Sequence, residues 1–210
     1  MGLPFVGSCY ATSRTTKHKQ VMGDIRIIGG KWKRTKLSVP NKPGLRPTPE
    51  RVRETLFNWL GQDLNQWVVI DAYAGTGALG LEAASRAAAQ VFLIEADTQL
   101  HRLHQQHITR LKAQHQVQAI RGDALVWLHQ HPKQAHLVLL DPPFSADLFD
   151  ASLQAAAQAV DSGGWVYLES PHAWQANQGL SYHLELYRYL KAGAVHAHLW
   201  RKASASETPF

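Results

Sequence analysis

Trp67-Val68-Val69-Ile70-Asp71-Ala72-Tyr73-Ala74-Gly75-Thr76-Gly77-Ala78-Leu79-Gly80 is the stretch that decides the fold of this chain. An apolar run of strand formers ends in an acid, turns on glycines and re-enters as an alanine- and leucine-rich helix. Gly75, Gly77 and Gly80 make a G-x-G-x-x-G at a strand-to-helix turn, the context in which that spacing cradles a nucleotide. Glycine is needed where a side chain would keep the backbone from a ligand. Alone, the motif admits either NAD or S-adenosylmethionine (SAM).

Outward from this turn the pattern alternates. Strands are predicted at 67–72, 91–95, 117–121, 136–140 and 164–169, and helices at 78–88, 98–113, 123–130 and 147–160. Such βα units argue for an α/β fold with a Rossmann-like, doubly wound and mostly parallel sheet. The end differs. Residues 182–190 and 195–202 read as strands joined by Lys191-Ala192-Gly193, too short for a helical crossover, so they form an antiparallel hairpin. Before the turn, Asp24–Ile28 and Lys33–Val39 read as a small hairpin around Gly29-Gly30. A proline-punctuated loop over 40–49 leads to a helix opening at Thr48 or Pro49 and running through Leu60. Residues 1–22 read as a flexible lead-in and 23–61 as a basic extension of hairpin and helix.

Two acids choose between the cofactors. Asp71 stands at the strand tip, four residues before Gly75. There the pyrophosphate of NAD would be repelled and the α-amino group of SAM attracted. Asp123 follows the third strand, where it can accept from the adenine 6-amino group. It also suits a helix N-cap, and the two roles are compatible. Glu95 ends the second strand twenty residues after Gly75 and can hold both ribose hydroxyls, which fits either cofactor. Ala74 and Ala124 complete the candidate cofactor-binding set of Asp71, Ala74, Gly75, Gly77, Glu95, Asp123 and Ala124.

Asp141-Pro142-Pro143-Phe144 follows the apolar run His136-Leu137-Val138-Leu139-Leu140. The prolines remove backbone donors and stiffen the turn, leaving carbonyl oxygens free to accept. With the Asp141 carboxylate and the flat face of Phe144, this turn can grip a planar ring and draw on its amine protons. These four residues are the candidate catalytic set.

Charge is unevenly placed. Residues 1–60 carry twelve Lys/Arg against three Asp/Glu, a balance of +9, while the remaining 150 carry ten against thirteen. A dedicated basic segment points to a polyanion, nucleic acid first. One cysteine, Cys9, excludes an intrachain disulfide and fits a reducing cytoplasm. No apolar run approaches a membrane span and no signal-peptide pattern opens the chain, so a soluble cytoplasmic protein is expected. His101, His104 and His107 are spaced by three on a helix and invite a metal. No carboxylate completes a site, so a solvated polar face is expected and no metal is required. Trp127, Trp165 and Trp200 are expected in the core; Trp32 is open to core packing or base stacking.

These residues together carry a resemblance. The chain resembles class I SAM-dependent methyltransferases, and the Asp-Pro-Pro-Phe turn is similar to the signature of enzymes that methylate exocyclic amines. More narrowly, it resembles the RsmD-type family of bacterial small-subunit rRNA guanine-N2 methyltransferases. The carriers are Arg26-Ile27-Ile28-Gly29-Gly30-Lys31-Trp32, Gly44-Leu45-Arg46-Pro47-Thr48, Arg51 through Leu60, Gly75 through Ala83, and Asp141 through Phe144. The match runs over roughly residues 24–202, with Ala72 a small departure where cysteine is frequent.

The resemblance implies a methyltransferase domain over 62–204, SAM as cofactor, and transfer to the exocyclic N2 of a guanine in 16S rRNA. It implies an assembled or partly assembled 30S particle as partner, and a monomer. Arg46 and Thr48 are placed at the active-site border by the resemblance, and Arg26 joins them in the substrate set. Lys31, Lys33, Arg34 and Lys36 are expected on rRNA phosphates. An adenine-N6 methyltransferase acting on DNA or RNA is the alternative the turn itself permits. An NAD(P) oxidoreductase is opposed by Asp71 and the proline turn, and a non-catalytic assembly factor by the intact acceptor set.

Overall fold

The computed structural model describes residues 21–144 and 146–204. The lead-in expected over 1–22 lies outside them, except that Val21 and Met22 already belong to a strand. That strand, β1 (Val21–Arg26), pairs antiparallel with β2 (Lys36–Pro40) as a separate two-stranded sheet, and α1 (Glu50–Trp59) follows. The rest alternates: β3 (Val68–Asp71), α2 (Ala78–Ser85), β4 (Gln90–Glu95), α3 (Thr98–Leu111), β5 (Val117–Arg121), α4 (Ala124–Gln130), β6 (Ala135–Leu140), α5 (Phe149–Ala159) and β7 (Val160–Ser170). A short α6 (Ala176–Leu180), which no sequence pattern announced, precedes the hairpin of β8 (Leu184–Ala192) and β9 (Val195–Lys202).

The main sheet has the order β5-β4-β3-β6-β7-β9-β8, parallel from β5 to β7 and antiparallel from β7 to β8. The chain leaves β3 toward β4 and β5, then returns to the other side for β6 and β7. The topological switch point therefore lies between β3 and β6, where ligands of such sheets bind at the carboxyl ends of the strands. Asp71 ends β3 and Asp141 follows β6.

Strand alternation sorts the core into two layers. Val69, Leu93, Leu137, Leu139 and Tyr167 face one side, with Ile27, Leu37, Val52, Leu56 and Phe57 of the N-terminal segment above them. Ile70, Ile94, Val138, Leu140, Val166 and Trp200 face the other, against Leu128 and Leu153. The N-terminal segment thus shares a core with the sheet. Ile27 and Leu37, each 1% exposed, anchor it with about 1.5–3 kcal/mol apiece.

The N-terminal hairpin does not turn tightly on Gly29-Gly30, as its sequence suggested. Its register pairs Arg26 with Lys36, so residues 27–35 form a longer loop and Lys33 and Arg34 lie in it. The glycines serve a distant contact. A Cβ on Gly30 would lie 1.8 Å from the Ser85 carbonyl oxygen at the end of α2. There the Lys31 N–H donates to the Ser85 carbonyl at 2.7 Å, and the Trp32 N–H to the Ser85 hydroxyl at 2.9 Å. Helix ends leave such carbonyls unsatisfied, and this loop supplies donors.

Glu82 completes the joint. Its carboxylate accepts from the Ile28 and Gly29 N–H groups, each at 2.8 Å, and pairs with Arg86 at 2.9 Å and Arg53 at 3.4 Å. Arg53 also donates to the carbonyls of Thr48 at 3.2 Å and Arg26 at 2.9 Å. Arg53, counted above with the basic segment, is in fact fully buried and neutralised.

Candidate active site at the carboxyl edge of the sheet

The two-residue period of the strands extends to their tips. Asp71 lies two residues beyond Val69, Glu95 two beyond Leu93, Asp141 two beyond Leu139 and Glu169 two beyond Tyr167. All four carboxylates head adjacent strands, β4, β3, β6 and β7, on the side covered by the N-terminal segment. Three of them were legible as acids at strand ends. Glu169 was missed, although the same rule applied to the strand 164–169 finds it.

Each has a defined setting. Asp71 is 2% exposed and accepts the Gly80 N–H through Oδ2 at 2.8 Å, fixing the start of α2. Burial pushes its carboxyl up to about 7, with Glu95 and Glu169 adding to the rise. Glu95 is half-buried and accepts the Gly75 N–H at 2.9 Å and the Asp97 N–H at 2.8 Å; burial raises its carboxyl too. Asp141 is held well above the usual carboxylate range by burial, then by its neighbours Glu169 and Asp71, with Arg46 acting against them. Glu169 accepts from the Tyr167 hydroxyl at 2.9 Å; burial raises its carboxyl, with Thr48, Tyr167 and Arg53 acting against the rise.

The glycines of the turn meet different surroundings, and a Cβ on Gly77 would crowd the His104 ring at 3.2 Å. Gly75 (φ +51°) and Gly77 (φ +76°) adopt backbone conformations that favour glycine, and Gly122 before Asp123 has open space where a Cβ would be. Gly80 differs. A Cβ there would strike Leu93 at 2.3 Å, so this glycine serves packing of α2 on the sheet. Ala74 and Ala124 are buried beneath the turn and at the start of α4. Asp123 caps α4, accepting the Val126 N–H at 2.9 Å, and its side chain is exposed. Acceptors with few cations beside them suit a ligand bearing an amino group and a sulfonium, so the residues fit SAM.

Pro142 is buried behind Asp141, and Pro143 and Phe144 are exposed at the rim. Phe144, 39% exposed, leans on Phe149 with ring centres 6.1 Å apart. From the N-terminal segment, Thr48 and Arg46 reach the same edge, at Glu169 and Asp141 respectively. The other expected substrate cations are elsewhere. Lys31, Lys33 and Arg34 are exposed at the loop against the end of α2, on the amino edge of the sheet. Lys36 pairs with Asp24 at 3.3 Å, and Arg26 is exposed beside it on β1.

Trp32 is 8% exposed and packs in the core, so it offers no face to a base. Trp200 is buried as expected, while Trp127 and Trp165 are half-buried. The solvated histidine face is corrected. His104 and His107 are buried, with the former's Nε2 3.0 Å from the Gly75 carbonyl oxygen and the latter's 3.2 Å from that of Ser38. Burial holds His104 down at about 4, so at neutral pH its Nε2–H donates to Gly75. The Gly75 N–H is thereby held by Glu95 and its carbonyl by His104.

A mostly parallel sheet closed by an antiparallel hairpin, with acids at its switch point and a glycine turn beside them, defines a Rossmann-like methyltransferase fold. The family described as Conserved hypothetical protein 95 matches residues 25–201, and the chain belongs to it. It is 37% identical over 195 residues to Ribosomal RNA small subunit methyltransferase D of Escherichia coli, covering 89% of this chain and 94% of that protein. It is 41% identical over 134 residues to the protein of the same name from Haemophilus influenzae, covering 62% and 69%. A solved structure of a putative methyltransferase from Escherichia coli aligns with TM-score 0.75 at 33% identity, covering 87% of this chain and 99% of that one.

Proposed function

We propose that this chain transfers a methyl group from SAM to the exocyclic N2 of a guanine in 16S rRNA, acting in the cytoplasm as a monomer on an assembled or partly assembled small subunit. The observation that carries the reading is the pairing of Asp141-Pro142-Pro143-Phe144 with Asp71 across the switch point of the sheet. When bound, SAM supplies an electrophilic methyl on a sulfonium. Glu95 would accept its ribose hydroxyls, Asp71 its α-amino group through the oxygen not used by Gly80, and Asp123 its adenine amine. Gly75 and Gly77, with Ala74 and Ala124, would let the backbone lie against it.

A guanine amino group is a poor nucleophile because its lone pair is delocalised into the ring. Asp141 and the Pro142 carbonyl would accept its two N–H bonds, favouring a pyramidal nitrogen whose lone pair faces the methyl. Positive charge developing on nitrogen is stabilised by the carboxylate in a site with little water. Holding the reacting atoms in line supplies much of the rest. Once the methyl has passed from sulfur to nitrogen, the nitrogen would give up one proton, to Asp141 or to water. Phe144 would stack on the base, which must leave any helix to reach the turn. Pro143 keeps that turn rigid.

The relatives' names specify small-subunit rRNA and so support that substrate over DNA, while guanine over adenine rests on the family resemblance. Arg46 would meet the RNA at the site, while Arg26, Lys31, Lys33, Arg34 and Lys36 would bind phosphates along the N-terminal segment. The test is nucleoside analysis by mass after incubation with SAM and small subunits, naked rRNA or DNA. N2-methylguanosine from small subunits is expected; N6-methyladenosine from any of the three would refute the reading.

A further inference from the structure

Glu169 is the member of the carboxylate row to which the mechanism above gives no task. It is 2% exposed, and the Tyr167 hydroxyl donates to its Oε1 at 2.9 Å. The Thr48 hydroxyl acts on the same carboxylate from the loop before α1, holding its carboxyl down against the effect of burial. Strand order fixes its side of the site. Glu95 and Asp71 head β4 and β3, the cofactor side; Asp141 follows β6; Glu169 heads β7, one strand farther from the cofactor. Leu140 is in register with Leu168, so Asp141 and Glu169 stand side by side on strands about 4.8 Å apart.

A hydroxyl that has given its proton to a carboxylate turns only lone pairs to its other side. A proton given to Glu169 would put Thr48, 6% exposed, in that state at the edge where Asp141 would hold the amine. Guanine carries an N1–H next to its 2-amino group on one edge of the ring. Adenine carries an unprotonated N1 next to its 6-amino group.

We propose that Glu169 is a positioning residue: by taking the Thr48 proton it fixes the Thr48 Oγ as the acceptor of the guanine N1–H, beside the amine held by Asp141, and so excludes adenine. The inference rests on the guanine-N2 reading and supplies its specificity. Adenine in the same pose would set its N1 lone pair against the Thr48 oxygen, leaving two acceptors facing each other without a proton.

The test compares small subunits reconstituted with guanine or 2,6-diaminopurine at the methylated nucleotide. Diaminopurine keeps the 2-amino group but has an unprotonated N1. Wild-type kcat/KM should favour guanine by roughly a hundredfold or more, as sites built around a substrate N–H do. Glu169→Gln frees Thr48 by offering an amide donor, and Thr48→Val removes the hydroxyl. Both variants should bring the ratio within about tenfold, with SAM affinity unchanged. Thr48→Val carries the test alone should Glu169→Gln fail to fold. Equal losses on both bases, with the ratio intact, would show a structural role only and overturn the proposal. Failure of the guanine reading itself looks different, because the wild-type product would then be N6-methyladenosine.

Discussion

Helix α2 has buried carboxylates at both ends, and they are treated in opposite ways. Glu82, near its C-terminal end, is surrounded by two guanidiniums and two backbone N–H groups. Asp71, at its N-terminal end, has one backbone N–H and the carboxylates of its neighbours, and burial pushes it up to about 7. Asp141 and Glu169 share that setting, with Arg46 acting against the rise at Asp141 and Arg53 against that at Glu169. A buried charge neutralised in place joins parts of a fold. Buried acids that outweigh the cations near them destabilise the ligand-free protein, and such groups cluster where a site handles charge. The joint holds the N-terminal segment to the sheet; the row awaits a cationic donor and a nitrogen becoming cationic.

Four experiments would break or sharpen that contrast. The largest effect is expected at Asp141. Asp141→Ala should lower methyl transfer by about three to four orders of magnitude while SAM affinity changes little, since the lost interaction is felt chiefly in the transition state. Turnover near wild type, measured with saturating donor, would remove the row from the chemistry.

Glu82→Ala comes next and acts on the other end. It leaves Arg53 and Arg86 buried without a counter-charge, and about 3–5 kcal/mol of stability should be lost in urea unfolding. A loss below about 1 kcal/mol would mean the joint is not held by charge.

Asp71→Asn should do the reverse. In the ligand-free fold the Asp71 carboxyl keeps its proton up to about 7, whereas in the unfolded chain it is released near 4. Between those values the folded state binds more protons, so wild-type stability falls as pH rises across the window. Asparagine still accepts the Gly80 N–H and removes that fall. The variant should therefore melt above wild type at pH 8, by a few kcal/mol in order of magnitude, with the gap closing near pH 4. A gap independent of pH would contradict the assignment.

The smallest effect belongs to the basic loop. Replacing Lys31, Lys33 and Arg34 together by Gln should weaken RNA binding and make its salt dependence shallower by up to about three ions. Arg46→Gln should instead alter transfer itself, because Arg46 acts on Asp141. An unchanged salt slope in the triple variant would take the amino edge out of the RNA footprint.

What could be read from the sequence follows the same division. The carboxyl edge was legible because strand tips are local: an apolar run, then an acid, repeated down the chain. Glu169 obeyed that rule and was overlooked because its strand lies beyond the proline turn that drew attention. The joint was not legible. Gly29-Gly30 resembles a hairpin turn, and nothing local says that Ser85 will press against it. Arg53 counts as a surface cation until Glu82 is brought beside it from 29 residues away. The histidines mislead differently. Their spacing by three suggested a polar face, yet Leu100, His104, His107, Ile108 and Leu111 form the buried stripe of α3. That stripe has helical period, and the signal was present once the histidines were counted with the apolar residues.

The central claim is that the row at the carboxyl edge is left un-neutralised so that a cationic donor can neutralise it. Its most direct test is the affinity of the protein for SAM between pH 5 and 7, measured by calorimetry with wild type and Asp71→Asn side by side. Binding a cation should release protons from the row. Wild-type affinity should therefore rise with pH, by up to about tenfold per unit for each proton released, and Asp71→Asn should flatten the rise. An affinity for SAM that is flat or falls over this range in the wild-type protein would contradict the account.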